Sequence, residues 1–482
     1  VITPNNPPTG WGILGDIYSR GWQRTDNTNN FLSFFATFAY SFKNRYVVNA
    51  NVRNDASNVF GQDINHRIDP TYSFGLSWRA SEEAFFQKHL KWITTLNFRG
   101  TFGIQGNALT RESPELILSQ QGVQPGYNRY FSTIGQIPNP YLSWERTRNW
   151  NFGVDLELFR MFYMNLEYYT RRSNAVITVD LPFEYGIDDM KRNGGIIYNR
   201  GIEYTLSFTP IQKRDFSLNI NLNASKNWNK GGETKIDRNT AMYLRGGSTQ
   251  ILKEGYPLSA FWSYSFAGLD GSNGKPMFNY VEVPDEEKSK SIDPTTYLVY
   301  SGETEPYFTG GLGFSFRYKS LSLNTSFSLL LGSKKRLPSP YSDFQGSGSM
   351  MPDPTKNVNR DLLNRWQKPG DEVYTNIPGL PTWPIEIGWT LPNTDSAESA
   401  IEMWEKSDAM VVSGSFLRCR NIGLSWQMKK EWCDKIHAKN LAINFNMDNI
   451  FVIASKRFNG FDPELENSIM PRSFSLGLNI GF

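Results

Sequence analysis

The sequence has no run of about 18 apolar residues, the length that a membrane-spanning helix requires. Cysteine and histidine are scarce: two Cys and three His occur in 482 residues, too far apart to form a metal-ligand motif. Cys419 and Cys433 could form a disulfide or remain free thiols, and both alternatives stay open. The sequence also lacks a GxSxG elbow, an HExxH helix and a Walker loop. We therefore expect no metal, no cofactor and no catalytic activity.

Neither sign of charge is in large excess. Lys and Arg total 50 while Asp and Glu total 47, which gives a net charge of +3 at pH 7. A nucleic-acid-binding protein carries a basic patch or stripe, and this balance does not favour one. We expect no nucleic-acid partner.

Aromatic residues are abundant although the chain is hydrophilic on average. They make up 15% of the residues, while the mean hydropathy is −0.47. A transmembrane β-barrel combines the two, since apolar and aromatic side chains face lipid and polar side chains face the lumen. The composition therefore favours an all-β protein of this type.

Apolar and polar residues alternate along many short segments. The last eleven residues, 472–482, read RSFSLGLNIGF, with apolar residues at every second position from Phe474 to Phe482. Segments with similar alternation lie at 202–209, 216–223, 321–329 and 441–448. Their length matches a tilted membrane-spanning strand of about 9–11 residues. A soluble sandwich also alternates, but its outer strand faces carry more Lys and Glu than the Ser, Asn, Thr and Gly found here.

The loop lengths predict an orientation. Outer-membrane barrels have short periplasmic turns and long external loops, and Phe482 at the periplasmic end fixes the direction of every strand. We predict fifteen strands, near residues 31–42, 45–53, 71–79, 91–103, 147–159, 162–172, 197–209, 215–228, 257–269, 276–283, 308–318, 320–331, 413–427, 440–448 and 472–482. Tight links at 43–44, 160–161, 210–214 and 319 then lie on the periplasmic side. Long loops lie outside, notably 104–146, 284–307 and 332–412, with others at 54–70, 173–196 and 229–256.

The count is odd, whereas bacterial single-chain barrels have an even number of strands. An open sheet would also leave unpaired edges in lipid. Residues 1–22 are rich in Gly and Pro and resemble a loop. We therefore expect residues 1–482 to be the C-terminal part of a barrel whose N-terminal strands belong to an upstream segment.

Several segments resemble a known family in their order and spacing. They are Val52–Gly61 (VRNDASNVFG), Asn97–Asn107 (NFRGTFGIQGN), Asn199–Glu203 (NRGIE), Glu254–Leu258 (EGYPL), Ala267–Pro276 (AGLDGSNGKP), Asn364–Asp371 (NRWQKPGD), Ser413–Ser425 (SGSFLRCRNIGLS), Asp448–Phe451 (DNIF), Gly460–Glu464 (GFDPE) and Pro471–Phe482 (PRSFSLGLNIGF). Together they resemble the SusC/RagA-type TonB-dependent transporters of Bacteroidota. Ala56 stands where that family usually has Gly, so the sequence is a divergent example.

The resemblance implies a fold and a function. Members of this family are similar to barrels of about 22 strands with a plugged lumen, which implies that about seven strands, the plug and the TonB-binding segment are missing here. It implies an active importer of oligosaccharides or oligopeptides in the outer membrane, with TonB and a SusD-like lipoprotein lid as partners. A passive porin or a structural or secretion barrel is the alternative, and a β-rich soluble hydrolase is a third hypothesis.

Four tryptophans in the predicted external loop 332–412 are candidate substrate or partner contacts: Trp366, Trp383, Trp389 and Trp404. Exposed Trp can stack on sugar rings or bury against a partner protein. Alternatively, each ring packs a small core of the loop itself.

Phe482 is a candidate assembly signal, since a C-terminal Phe that closes an alternating strand resembles the signal read by the outer-membrane assembly machinery. It could also be only a lipid-facing aromatic residue. Two other motifs receive structural interpretations: Asp270–Lys275 (DGSNGK) predicts a tight turn rather than a calcium loop, and Gly310–Gly313 (GGLG) predicts close packing within a strand.

Overall fold

The computed structural model describes residues 30–57, 68–107, 115–124, 126–127, 129–181, 183–187, 189–234, 241–246, 252–279, 293–341, 355, 357–380, 399–465 and 468–482. No helix within these ranges is both long and apolar enough to cross a membrane.

The described residues form mostly strands. The strands are β1 (Phe31–Phe42), β2 (Tyr46–Ser57), β3 (Ile68–Arg79), β4 (Ile93–Asn107), β5 (Ile117–Gln124), β6 (Arg129–Gln136), β7 (Glu145–Leu158), β8 (Phe162–Asp180), β9 (Asp189–Gln212), β10 (Phe216–Gly231), β11 (Ala260–Tyr264), β12 (Phe266–Leu269), β13 (Pro276–Phe278), β14 (Leu298–Glu303), β15 (Phe308–Tyr318), β16 (Leu321–Leu331), β17 (Lys334–Arg336), β18 (Val411–Ser413), β19 (Phe416–Gln427), β20 (Asn440–Ala454) and β21 (Ser473–Gly481).

Helices are short and connect the strands. The α-helices are α1 (Ala84–His89), α2 (Ala241–Leu244), α3 (Ala400–Glu405) and α4 (Lys430–Lys435). The 3-10 helices are Ala80–Glu82, Phe183–Tyr185, Pro294–Thr296, Arg360–Asn364, Asp371–Val373, Asp408–Met410 and Lys456–Phe458.

One large sheet organises the described residues. It contains thirteen strands in the order β1-β2-β3-β4-β7-β8-β9-β10-β15-β16-β19-β20-β21, and every neighbouring pair is antiparallel. The strands therefore follow the chain order, as in an up-and-down barrel. The predicted all-β antiparallel barrel wall is confirmed.

The register gives the sheet one apolar and one polar face, because directly opposed residues share a face. Leu222 of β10 is opposite Leu206 of β9 and Leu312 of β15. Asn221, one position earlier, is opposite Ser207 and Gly313. The period-two pattern seen in the sequence is therefore continued from strand to strand.

The tight links lie at one end of the sheet, as predicted. Lys43 and Asn44 both have positive φ, at 49° and 56°, and so do Phe159 and Arg160, at 53° and 57°. Two successive residues with positive φ form the type I′ turn, whose twist matches that of paired strands. The three longest connections of the sheet, 108–144, 232–307 and 332–415, all lie at the opposite end. That this end faces the cell exterior stays a prediction.

The predicted strand count was too high by two, because the described residues of 257–269 and 276–283 do not join the large sheet. They contribute β11, which pairs with β14, and β12, which pairs with β13. β11 is buried at all five positions, so it lacks the lumenal, water-exposed face of a barrel strand. Since these two segments are consecutive, removing both leaves the direction of every other strand unchanged.

The predicted loop at 173–196 is also wrong for most of its length. β8 and β9 have 19 and 24 residues, and their pairing continues to Asp180 opposite Asp189. The strict alternation ends in this extension, where Ala175, Val176 and Ile177 are consecutive apolar residues. The period-two pattern therefore predicted the membrane-spanning part of β8 and β9 but not their extension beyond it.

A lobe of connecting segments covers the end of the sheet that carries the long loops. We call it the loop lobe; it comprises the described residues of 232–307, between β10 and β15, and of 332–415, between β16 and β19. Its two small cores meet at α3, where Met403 packs with Trp262 in one core and Trp404 packs with Tyr341 in the other. A capping box formed by Ser399 and Glu402 begins this helix.

Arg substitution distinguishes the two faces of the sheet. We expect Leu222→Arg to destabilise the protein by about 2–4 kcal/mol, because it places a charge on the lipid face near the middle of a strand. Asn221→Arg, one residue away on the polar face, is the matched control and is expected to have a much smaller effect. Denaturant unfolding in lipid bilayers measures both, and equal destabilisation by the two variants would contradict this assignment of the faces.

Candidate functional site

The polar face of the sheet is held together by side chains that hydrogen-bond between neighbouring strands. On β9–β10, the Asn219 amide donates to Thr209 Oγ1 at 2.8 Å. The same type of contact recurs along the sheet: Ser225 with Thr309 at 2.8 Å, Ser315 with Asn324 at 2.8 Å, and Ser425 with Asn444 at 2.7 Å. Hydroxyl and amide groups therefore form a hydrated wall that offers both donors and acceptors.

Charged groups that β4, β7 and β8 contribute to this face compensate one another. Arg99 on β4 lies 3.3 Å from an Asp155 oxygen and 2.9 Å from a Glu167 oxygen. The Asn165 amide donates to Asp155 at 2.7 Å and the Asn151 amide to Glu167 at 3.2 Å. This wall is polar without a strong local excess of one charge.

Two concavities lie against the polar face. The first has a volume of about 730 Å³ and includes Arg53, Asp55 and Ser73 on its wall. The second has a volume of about 490 Å³ and includes Asn223 and Thr309. Gly311 lies beside Asn223, and a Cβ there would come within 2.3 Å of the Asn223 side-chain oxygen. The predicted close packing of the Gly310–Gly313 motif is thus confirmed at this position.

A buried ionic cluster fastens the last long connection, 455–472, to the wall. Arg418 of β19 is 2% exposed, and its Nη2 lies 2.7 Å from both carboxylate oxygens of Asp462, which is 4% exposed. Glu464 accepts from Arg420 Nη2 at 2.7 Å and lies 2.9 Å from Arg418. β19 is bulged between Cys419 and Asn421, which brings both arginines to the polar face.

The same connection also contacts the loop lobe. Arg457 Nη1 donates to the carbonyl oxygen of Val411 at 2.8 Å, and its Nη2 donates to the carbonyl oxygen of Ala409. The Asn459 amide donates to the Asp361 carboxylate. Residues 455–465 therefore link the loop lobe to strand β19, and we call them the strap.

Within the loop lobe, Arg336 of β17 cross-links two segments that are distant in sequence. Its Nη1 donates to the carbonyl oxygen of Arg245 at 3.0 Å, and its Nη2 donates to the Trp262 carbonyl at 3.2 Å and to Ser263 Oγ at 3.1 Å. Burial, with a smaller effect from the Arg245 charge, lowers the pKa of Arg336 to about 10. The guanidinium therefore stays protonated at neutral pH and holds the lobe together through carbonyl groups.

The structure places two of the four predicted tryptophans in the loop lobe. Trp366 is half-buried; its Nε1 donates to Glu372 at 3.2 Å, and its ring lies against Gly274 and Gly379. Trp404 is buried in a lobe core. Trp383 and Trp389 lie outside the described residues. For both described rings, packing within the lobe is observed, and their role in binding stays a prediction.

The remaining predicted residues lie at or near the sheet. Phe482 is exposed at the end of β21, and its backbone oxygen accepts from Lys439 Nζ at 3.0 Å. Cys419 and Cys433 are buried free thiols, so the disulfide alternative is wrong for this structure. Asp270–Lys275 is a tight turn in which the Ser272 N–H donates to Asp270 at 2.8 Å. Hydrogen bonds from Ser272 lower the pKa of this carboxyl.

The ionic cluster of Arg418, Asp462 and Glu464 was not predicted as functional. Its two segments, FLRCR and GFDPE, belong to the stretches that carry the family resemblance, and that resemblance assigns them no role. They are about 44 residues apart, and nothing in either segment alone indicates that they meet. An Arg on a strand that otherwise alternates small polar and apolar residues was the available signal.

Comparison with known proteins gives consistent matches. A family model described as "TonB dependent receptor-like, beta-barrel" matches residues 2–332. TonB-dependent receptor P3 of Formosa agariphila is 23% identical over 502 residues, covering 95% of this chain and 46% of that protein. TonB-dependent receptor SusC of Bacteroides thetaiotaomicron is 25% identical over 486 residues, covering 94% of this chain and 44% of that protein.

The fold also matches a solved structure, that of the RagAB peptide transporter. The TM-score is 0.72 at 22% identity, over 94% of this chain and 48% of that one. At this identity the match shows the fold alone. The chain spans about half the length of the curated relatives it matches.

Breaking the buried ion pair is expected to loosen the strap. Arg418→Ala leaves the Asp462 charge buried and unpaired, which costs about 3–5 kcal/mol. Arg53→Ala is the control: Arg53 pairs with Asp55 on an exposed side chain, and such pairs contribute about 0–1 kcal/mol. Limited trypsin digestion measures the effect at Lys456 and Arg457 of the strap. Unchanged cleavage in Arg418→Ala would contradict the fastening role.

Proposed function

Because this chain belongs to the TonB-dependent receptor-like β-barrel family and is an outer-membrane barrel chain of the SusC/RagA type, we propose that it forms the pore wall of an active importer. The proposed cargo is an oligosaccharide or an oligopeptide, captured under a SusD-like surface lipoprotein. Import is powered through TonB. The relatives named above are receptors or transporters rather than enzymes.

The observation that supports this proposal most directly is the division of the large sheet into a polar and an apolar face. The apolar face suits lipid, and the hydroxyl and amide groups of the other face suit a wide hydrated lumen. Sugars and peptides both exchange hydrogen bonds with such groups. The proposed cargo could therefore move along the wall without a large electrostatic barrier.

A plug and additional strands complete the proposed importer. Among the described residues, β1 and β21 each pair with a single neighbour, and an unpaired strand edge is very costly in lipid. We propose that further strands pair with both edges and close a barrel of about 22 strands, the size of plugged outer-membrane transporters. The shorter span of this chain relative to its relatives supports the same proposal.

The proposed lid contacts the loop lobe. Leu363 and Val373 lie at two 3-10 helices of the lobe, and both side chains are mostly exposed. Exposed apolar side chains mark protein interaction sites when they form a contiguous patch. A lipoprotein lid seated on the lobe would cover them.

Uptake measurements in cells with and without TonB test the proposed activity. We expect a strain with the intact protein to take up its substrate, and we expect that uptake to fall to background when TonB is deleted. Uptake that persists without TonB would instead support the passive porin. Deleting the gene for this protein in the TonB-containing strain is the control, since it removes the pore and leaves the energy supply intact.

Purification from the outer membrane in mild detergent tests the partners. We expect a surface lipoprotein to co-purify with the barrel, together with bound oligosaccharide or peptide detectable by mass spectrometry. Recovery of the barrel with no lipoprotein would contradict the lid.

Deletion of Phe482 tests the proposed assembly signal. We expect the shortened protein to reach the outer membrane in much smaller amounts, because the assembly machinery would no longer recognise the last strand. Phe482→Ala removes only the aromatic ring and keeps the terminal backbone oxygen that accepts from Lys439. Comparing it with the deletion separates recognition of the ring from the contact with Lys439. Normal membrane levels of both variants, measured by fractionation and heat-modifiability on gels, would contradict the signal.

A further inference from the structure

Four cations form a cluster on the apolar, lipid-facing side of the large sheet, toward the end that carries the long loops. They are Arg148 on β7, Arg172 on β8, Arg200 on β9 and Lys226 on β10, and all four are exposed. Each lies an even number of positions along its strand from Leu222 or from a residue that the pairing aligns with Leu222, which places all four on the lipid face. We call them the cation cluster.

The cation cluster lies at the level expected for a membrane interface. Arg148, Arg172 and Lys226 are each about ten residues from the end of their strand that carries the tight link, and a tilted membrane-spanning strand has about 9–11 residues. Exposed aromatic side chains, among them Trp150 and Tyr168, share this face just below the cluster, as in the aromatic girdles of outer-membrane barrels. A charge on the lipid face is tolerated at this depth, unlike at the midplane of the bilayer.

No carboxylate neutralises the cation cluster within the part of the chain that the structure describes. None of the four cationic side chains forms a hydrogen bond or an ion pair with another described residue. Arg146, two positions beyond Arg148, differs, since it pairs with Asp69 at 2.6 Å. The acidic residues in segments 145–158, 162–174, 196–212 and 216–230 of these strands all lie on the opposite, polar face: Glu145, Asp155, Glu157, Glu167 and Glu203.

The cations of the cluster are close enough to repel one another. Arg148 and Arg172 are directly opposite in the pairing of β7 with β8, and like charges directly opposite destabilise a sheet. Arg200 is opposite Thr170, so it lies diagonally next to Arg172, a separation of about 7–8 Å. A phosphate group beside them would replace this repulsion by attraction, and the fork of a guanidinium group matches the geometry of phosphate oxygens.

Aromatic rings of the neighbouring strands position the cations. The Arg172 guanidinium lies over the Tyr198 ring, 6.0 Å from its centroid, and the Arg200 guanidinium lies 5.6 Å from the centroid of Trp228. The Lys226 ammonium lies 5.0 Å from the centroid of the same Trp228 ring. A ring face attracts a cation without accepting from all of its N–H groups. The remaining donors are therefore available to a ligand on the lipid side.

We propose that the cation cluster binds the phosphorylated headgroup of a glycolipid in the external leaflet of the outer membrane, such as lipid A. The long-loop end is predicted to face the exterior, where a lipid of this chemistry is found. Its acyl chains would lie along exposed apolar residues below the cluster, including Phe152 and Ile202. This inference concerns the outer surface of the barrel, and it does not depend on the cargo or on TonB.

Lipid binding to the full protein purified from the outer membrane in detergent tests the proposal. The probes are lipid A, dephosphorylated lipid A, phosphatidylglycerol and inorganic phosphate, with native mass spectrometry and thermal unfolding as readouts. We expect lipid A to bind saturably and to raise the Tm, since a ligand of the folded state stabilises it. Removing its phosphates is expected to weaken binding at least about tenfold, because charge-assisted hydrogen bonds are lost.

Arg172→Gln and Arg171→Gln are a matched pair of variants. The two arginines are adjacent on β8, both are exposed, and each guanidinium lies over a tyrosine ring, but Arg171 is on the polar face. We expect Arg172→Gln to weaken lipid A binding about threefold to tenfold, and Arg148→Gln with Arg172→Gln to weaken it further. Arg171→Gln should keep the wild-type affinity.

Folding of the variants is checked by heat-modifiability on gels and by the Tm without added lipid. Arg148→Gln and Arg172→Gln should keep or raise this Tm, because each removes a repulsion between like charges. A loss of lipid A binding in a variant that keeps its Tm therefore reports the headgroup contact.

Four outcomes would overturn the proposal. Failure of lipid A to bind the wild-type protein would remove the ligand. Equal weakening by Arg171→Gln and Arg172→Gln would overturn the location on the lipid face. Equal affinity for lipid A with and without its phosphates would overturn recognition of the phosphate. Preference for phosphatidylglycerol or for inorganic phosphate over lipid A would overturn the assignment to a glycolipid of the external leaflet.

Discussion

Backbone hydrogen bonding at membrane depth is the constraint on which the rest of this structure depends. Hydrocarbon offers no partner to a free N–H or C=O group, so a membrane-spanning strand must be paired on both sides. Eleven of the thirteen strands of the large sheet meet this condition within the described residues, and β1 and β21 meet it on one side. The strand order and the antiparallel direction both follow from this continuous ladder.

The hydrogen-bonded strand pairing also decides which face of the sheet can carry polar and charged side chains. Since side chains alternate strictly between the faces of a strand, the lipid side is committed to apolar residues and the lumenal side is free to carry Asn, Ser, Thr and a few compensated ions. Arg99 can be charged there because Asp155 and Glu167 lie beside it. Regions outside the ladder are freer, and there the chain builds cores of its own in the loop lobe.

The strap connects the large sheet with the loop lobe. Asp462 is held by Arg418 from the wall, while Arg457 and Asn459 of the same segment reach the lobe. A buried ion pair adds little net stability compared with apolar packing, yet it is costly to break and fixes one geometry. Because the pair lies between wall and lobe, it fixes the position of the strap relative to both.

The sequence by itself determined the barrel wall, because period-two alternation is a local property that each strand carries independently of its neighbours. Eleven or so residues ending at Phe482 predict their strand without any partner. The connections were not predictable in this way. The pattern predicts a barrel strand at 257–269 and a loop at 173–196, and both predictions are wrong because outside lipid the two faces of a strand are no longer sorted by one solvent. Only the tertiary structure placed Trp404 in a core and joined Arg418 to Asp462, since those contacts join segments whose approach no local pattern encodes.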